Sequence, residues 1–236
     1  VFRGRLRCPA AQYSGPAGRQ AVTVDIEKIF GLAAHRAPGI QDAERLYAVL
    51  IALNRDERTG EYSVLYEVRS DTIDAQPGEV CFPGGHIEPG EGALGCALRE
   101  TQEELGIPPE LIEVCCELDT FHPSCNIVIR PFLARLLPGA AGAITPSPDE
   151  VKDFFFVPLS ELSEPYYSRT YPAVRVLPKD FPYEMIGIDE RYGWRSITEE
   201  LVVYRYKERV IWGFTALMTR ALMRFLSSLS GEGGAT

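Results

Sequence analysis

At 236 residues and 45% hydrophobic content, the chain is long enough for one large domain, or one and a half small ones, with a real core. A net charge of −9 and a pI near 5.0 argue against nucleic-acid binding, which usually uses a basic surface. They leave phosphorylated small molecules open, because a bound metal inverts the local field.

No apolar run approaches the roughly 20 residues that span a bilayer, and no apolar segment follows the basic start Val1 to Pro9, so neither a membrane span nor a signal peptide is expected. Cys8, Cys81, Cys96, Cys115, Cys116 and Cys125 form no CxxC pair. They read as reduced, buried thiols of a cytoplasmic protein rather than as disulfides.

Residues 1–20 read as irregular, 21–229 as a single domain and 230–236 as a flexible tail. Residues 24–36 suit a short helix. The β-rich runs 45–54 and 62–68 flank RDERTGE, which predicts a hairpin. A polar loop leads to a short strand at 79–82 and then to the Gly/Pro-dense PGGHIEPGEG. The sequence predicts a helix over 93–105, stopped by Gly106 and Pro108. Strands follow at 112–121 and 126–137, a loop at 138–148, a strand at 150–157 and a short helix at 158–163 opened by Pro158. Residues 164–196 carry no assignable pattern. A hairpin at 201–212 precedes a last helix at 213–229, whose Phe214, Met218, Leu222, Phe225 and Leu229 repeat at helical spacing. That stripe is expected to pack on the domain itself. The strand-rich pattern around one central helix predicts an α/β architecture: a mixed sheet with helices on its faces.

The chemistry concentrates in Gly84 to Ile107. On a helix, Glu100, Glu103 and Glu104 share one face. Crowded carboxylates repel one another unless neutralised. Arg99 balances part of the charge, and a hard divalent cation such as Mg²⁺ or Mn²⁺, with oxygen ligands, would balance the rest. Glu91 precedes the helix, where an acid suits the dipole. Gly84, Gly85 and Gly90 permit unusual backbone, so that a carbonyl can face a metal.

The spacing is Gly85, five residues, Glu91, seven residues, Arg99-Glu100, two residues, Glu103-Glu104, one residue, Gly106 and Ile107. This resembles the Nudix box of the Nudix hydrolases. Thr101 departs, standing where that family prefers an aliphatic residue; its methyl can still pack. The resemblance implies an α/β/α sandwich with the box as loop–helix–loop, acting on a nucleoside diphosphate linked to another moiety. By position it implies Glu103 and Glu104 as main metal ligands, Glu100 as a further ligand or the base, and the Gly85 carbonyl facing the metal. Arg99 would hold the glutamates in place. The family often uses one more acid outside the box; Glu150 is the candidate, with Asp149 its competitor.

Upstream, LYEVRSDTIDAQPGEVCFPGG (65–85) resembles the extra motif of the coenzyme A diphosphatase branch, matching at Arg69-Ser70, Gly78 and Phe82-Pro83-Gly84-Gly85. Asp74 departs, standing where the pattern has a second basic residue. Arg69, Ser70 and Gly84 are the candidate substrate contacts, and an Arg fork suits a phosphate. Phe82 and Pro83 read as core and turn. Ile211 to Ala216 resembles the end of the same branch. The aromatics of 166–194 read as core or dimer contacts in preference to a stacking surface. His35, His86 and His122 are scattered, so zinc is not expected.

The expected partner is a small nucleotide: coenzyme A or acyl-coenzyme A cut at its diphosphate, giving an adenosine bisphosphate and a phosphopantetheine. ADP-ribose, a dinucleotide or a nucleoside triphosphate is the alternative. A nucleotide-sensing domain without turnover is the reading from a different class. Monomer and homodimer both remain open.

Overall fold

The computed structural model describes residues 45–123, 126–174 and 176–231. The expected irregular start, the domain start at residue 21, the helix at 24–36, His35, Cys8, Cys125 and most of the tail lie outside them. The described residues fall in the compact unit Asp42–Thr236.

Strand β1 (Arg45–Arg55) turns at Asp56–Glu61 into β2 (Tyr62–Arg69), as the polar insert predicted. Asp56 Oδ1 accepts the backbone N–H groups of Arg58 at 2.8 Å and Thr59 at 2.9 Å, closing the turn. Short β3 (Val80–Cys81) and β4 (Gly84–His86) follow, then helix α1 (Ala93–Leu105). Gly106, left-handed at φ 68°, ends α1. Strands β5 (Ile112–Glu117), β6 (Ile127–Leu136) and β7 (Val151–Pro158) complete the main sheet. The 138–148 segment contains a one-turn helix, α2 (Ala140–Ala143), where only loop was expected. The 112–121 strand is shorter than predicted: it ends at Glu117, after which Leu118 donates to the Pro131 carbonyl and Phe121 bridges to Ile129.

The sheet has seven strands, with β1 at its centre. β1 runs parallel to β6 and antiparallel to β4 and β2, while β2 also pairs with β3 and β7. Covered on both faces, β1 buries the consecutive run Leu50, Ile51 and Ala52 completely.

A second, three-stranded sheet takes β8 (Tyr167–Ala173), β9 (Ile197–Tyr206) and β10 (Arg209–Trp212), with helix α3 (Gly213–Leu229) after it. Val64, Tyr66 and Val68 of β2 share a core with Ile51 and with Met218 and Leu222 of α3. Leu65 of β2 joins Ala48, Leu50 and Ala52 against Ala93, Cys96, Ala97 and Leu105 of α1. Two helices on opposite faces of a mixed sheet make the expected α/β/α sandwich. The α3 stripe packs on its own domain at Met218 and Leu222, whereas Leu229 is 71% exposed. The Tyr66 hydroxyl meets Thr219 Oγ1 at 2.8 Å, pinning α3 to β2.

The 166–194 aromatics correct the expectation that they are core. Tyr166, just before β8, Tyr171 on it and Tyr192 on the connection after it are exposed. Phe181, Tyr183, Tyr192 and Trp194 pack edge-to-face among themselves. β8 is exposed at nearly every position and so offers these rings no buried face. Cys81, Cys96, Cys115 and Cys116 are free thiols, and Cys115 is exposed, not buried as expected.

Candidate active site

Three pieces of chain converge beside α1. β1 holds β4 through the pairs Ala48–Gly85 and Val49–Gly84, which seats the Gly84-Gly85 loop against the helix. A side chain at Gly85 would place its Cβ 2.3 Å from the Glu100 carboxyl. At Gly84, with φ +151°, it would stand 2.3 Å from the Ala48 carbonyl oxygen. Gly84 demands glycine because the Ala48 backbone stands too close for a side chain, whereas at Gly85 the nearest obstacle is the Glu100 carboxyl.

Arg99 organises three acids, the half-buried Glu91 and Glu100 and the exposed Glu103. Its Nε donates to Glu91 Oε1 at 2.9 Å, its Nη1 to Glu103 Oε2 at 2.8 Å, and its Nη2 stands 2.9 Å from Glu100 Oε1. The hydrogen bond from Arg99 is the main reason the Glu91 carboxyl sits low, at about 2. Cys96 donates its thiol to the carbonyls of Gly85 at 3.5 Å and His86 at 3.4 Å, so the Gly85 carbonyl faces α1. His86 otherwise packs edge-on to Tyr47.

Glu104 is different. It is 6% exposed, and its Oε2 accepts the Gly84 N–H at 2.8 Å. Burial pushes its carboxyl well up, the charge of Glu67 adds to this, and the Gly84 N–H opposes it. Glu100 is also pushed up, by burial first, with Arg99 opposing.

Glu67 is the buried acid that the sequence reading omitted. It lies in β2 and is 1% exposed. Cys81 donates its thiol to Glu67 Oε1 at 3.1 Å, while Oε2 is buried without a hydrogen-bond partner. Burial raises its carboxyl, and the charges of Glu150 and Glu100 raise it further while Arg69 lowers it. The available signal was an acid at an inward position of an otherwise apolar strand, YSVLYEV.

Arg69 stands two residues on, and its field lowers Glu67, Glu104 and Glu79. Its Nε donates to the Ala75 carbonyl at 3.1 Å. The Ser70 hydroxyl is occupied by Thr72 at 2.9 Å, and the Ser70 N–H donates to the Glu150 carbonyl at 2.8 Å. Ser70 therefore ties the Arg69 strand end to Glu150. Glu150 is exposed, and its charge is among those that raise both Glu67 and Glu100. Asp74 lies exposed in the loop before Gly78.

As they stand, no three acidic, histidine or cysteine side chains among the described residues form a ready-made ion cage. The donor set nonetheless suits a hard cation: two buried carboxylates, one with an orphaned oxygen, beside a third carboxylate packed on Gly85. Buried charge of one sign without a partner is costly, and a divalent cation drawing these acids together would offset it.

A mixed sheet between two helices, with a glycine loop and an acidic helix face meeting at β1, defines the class. The NUDIX domain family matches over residues 44–177, more than half of the chain, and the chain belongs to that family. Among its relatives, the mouse peroxisomal coenzyme A diphosphatase NUDT7 is 36% identical over 126 residues, covering 52% of each chain. The Caenorhabditis elegans peroxisomal coenzyme A diphosphatase ndx-8 is 34% identical over 139 residues, covering 58% of this chain and 56% of its own. An uncharacterized Nudix hydrolase, NudL, of Enterobacter is 31% identical over 179 residues, covering 75% and 81%. The chain thus spans about half the length of the two animal relatives. No helix among the described residues is long and apolar enough to cross a membrane.

Proposed function

We propose that the protein is a Mg²⁺- or Mn²⁺-dependent diphosphatase whose substrate is coenzyme A or an acyl derivative, cut at the diphosphate. The observation that carries this reading is that Arg69, at the end of β2, lies within electrostatic reach of Glu67 and Glu104, the second of which the Gly84 N–H of the box loop holds. One face therefore offers a phosphate-binding cation beside a set of metal-binding anions. Two animal relatives named as coenzyme A diphosphatases support the substrate.

Glu104, Glu103, Glu100 and the Gly85 carbonyl would hold the cation, with Glu150 at the rim. When bound, the cation supplies charge neutralisation at the phosphates and acidifies bound water. Glu100 is the acid best suited to take the proton of the attacking water. Its raised carboxyl keeps it more basic than an exposed glutamate, and Arg99 fixes its direction. Arg99 also holds Glu91 and Glu103, so it is a positioning residue. Arg69 would grip a phosphate oxygen, and the Gly84-Gly85 backbone permits close approach.

Asp74, standing where the coenzyme A pattern has a basic residue, favours a second reading: a diphosphatase for ADP-ribose, a dinucleotide or a nucleoside triphosphate. The test incubates full-length protein with Mg²⁺ or Mn²⁺ and coenzyme A, acetyl-coenzyme A, ADP-ribose, NADH and nucleoside triphosphates, with products read by mass spectrometry. Phosphopantetheine and adenosine bisphosphate from coenzyme A, absent with Glu103→Gln, are the expected result. At least a hundredfold faster cleavage of ADP-ribose or NADH would move the assignment to the second reading. No cleavage of any substrate would leave a nucleotide-sensing domain.

A further inference from the structure

Glu67 stands outside the box and outside the set of Glu104, Glu103, Glu100 and the Gly85 carbonyl to which the cation was given above. Strand alternation assigns its direction: Val64, Tyr66 and Val68 pack toward α3, while Leu65 packs toward α1. Glu67 shares the α1 side with Leu65, and with it the helix face that carries Glu104. It cannot reach water from there. β2 is paired at this residue on both edges, to Cys81 of β3 and Phe154 of β7. Three residues after Cys81, the Gly84 N–H holds Glu104. Glu67 and Glu104 are therefore fixed from the same short stretch of backbone.

The side chain is half satisfied. Oε1 takes the Cys81 thiol at 3.1 Å, a weak donor, and Oε2 takes nothing. The residue is 1% exposed, so water does not serve Oε2 either. An open carboxylate oxygen, buried and facing other acids, is poorly suited to holding the fold together and well suited to a cation.

We propose that Glu67 is a further ligand of the divalent cation, presenting Oε2 beside Glu104 and carrying the ligand set from helix α1 onto strand β2. This rests on the metal-dependent reading above. It makes the cation a tie between the sheet and the box helix, with Cys81 orienting the Glu67 carboxylate from behind.

The test measures Mn²⁺ binding to full-length protein by electron paramagnetic resonance, without substrate, for wild type, Glu67→Gln and Glu67→Asp. Glutamine keeps the size and the Cys81 partner but removes the charge; aspartate keeps the charge but withdraws it by one methylene. The expected result is a Mn²⁺ Kd raised at least tenfold in Glu67→Gln and raised in Glu67→Asp, with unchanged far-UV circular dichroism. Should one variant fail to fold, the other carries the same comparison. Wild-type-like Mn²⁺ affinity in either folded variant would overturn the role of Glu67 and leave the metal-dependent reading standing. Failure of the wild type itself to bind Mn²⁺ would overturn both.

Discussion

Gly84 and Gly85 are adjacent, yet they exclude side chains for different reasons, and substitution separates them. At Gly84 the obstacle is the Ala48 backbone, which cannot yield, and φ lies at +151°. Gly84→Ala is expected to cost about 3 kcal/mol, measured by denaturant unfolding. At Gly85 the obstacle is the Glu100 carboxyl, a side-chain end that can be pushed aside. Gly85→Ala is therefore expected to keep most of its stability and lose at least about tenfold in kcat, because a displaced catalytic group loses its alignment. Thr101 makes the opposite case. It is fully buried and donates its hydroxyl to the Ala97 carbonyl at 2.7 Å, which satisfies the polar atom inside the helix and lets the methyl pack. Thr101→Val removes one buried hydrogen bond while the Ala97 carbonyl keeps its helical partner, so a change in stability of no more than about 1 kcal/mol, read by denaturant unfolding, and intact turnover are expected.

At the scale of elements, α3 is held to the sheet by apolar packing and by a short polar chain. Thr219 donates to the Thr215 carbonyl at 2.8 Å, so the Tyr66 hydroxyl is the donor to Thr219 Oγ1. Thr215 in turn donates to the Val80 carbonyl at 3.0 Å, beside the strand that carries Cys81. Burial pushes the Tyr66 hydroxyl above its ordinary range, against the opposing pull of its hydrogen bond to Thr219, so it stays protonated and able to donate. Tyr66→Phe is expected to lower stability by about 1 kcal/mol, the net worth of one buried hydrogen bond, as read by chemical denaturation. Much of this scale was legible in advance. The β1–β2 hairpin, α1 over 93–105 and α3 over 213–229 all follow from local period and punctuation, because turns, caps and amphipathic spacing are written in neighbouring residues. β8 was not, since YSRTYPA is exposed at nearly every position and has no alternation to read.

Over the whole molecule, the buried acids set a dependence on pH and metal. Glu67 and Glu104 have carboxyls raised in the folded state, chiefly by burial. As pH rises above the ordinary carboxylate range, the unfolded chain gives up these protons while the folded chain retains them. The folded state then binds more protons, so stability falls with rising pH until the raised groups have also ionised. Glu91 acts in the other direction: held down to about 2 by Arg99, it contributes stability that is lost as pH falls toward that value. Thermal denaturation in chelator is thus expected to give a lower Tm at pH 8 than at pH 6. Mn²⁺ or Mg²⁺ is expected to raise Tm, and more at pH 8, because it binds the ionised acids. An equal shift at both pH values would count against the buried acids as ligands.

The sequence by itself determined the box: the spacing from Gly85 to Ile107 makes a helix with Glu100, Glu103 and Glu104 on one face and a stop at Gly106. Those are relations within a few turns of one helix, so local geometry suffices. Only the tertiary structure decided which of those acids is buried, because burial of Glu104 depends on the Gly84 loop brought over it by β1. It also decided that Glu67 and Arg69, more than thirty residues before Glu104, lie within electrostatic reach of it. The parallel pairing of β1 with β6 and the exposure of Tyr166, Tyr171 and Tyr192 belong to the same class. Each rests on contacts between segments distant in sequence, and no local period encodes those.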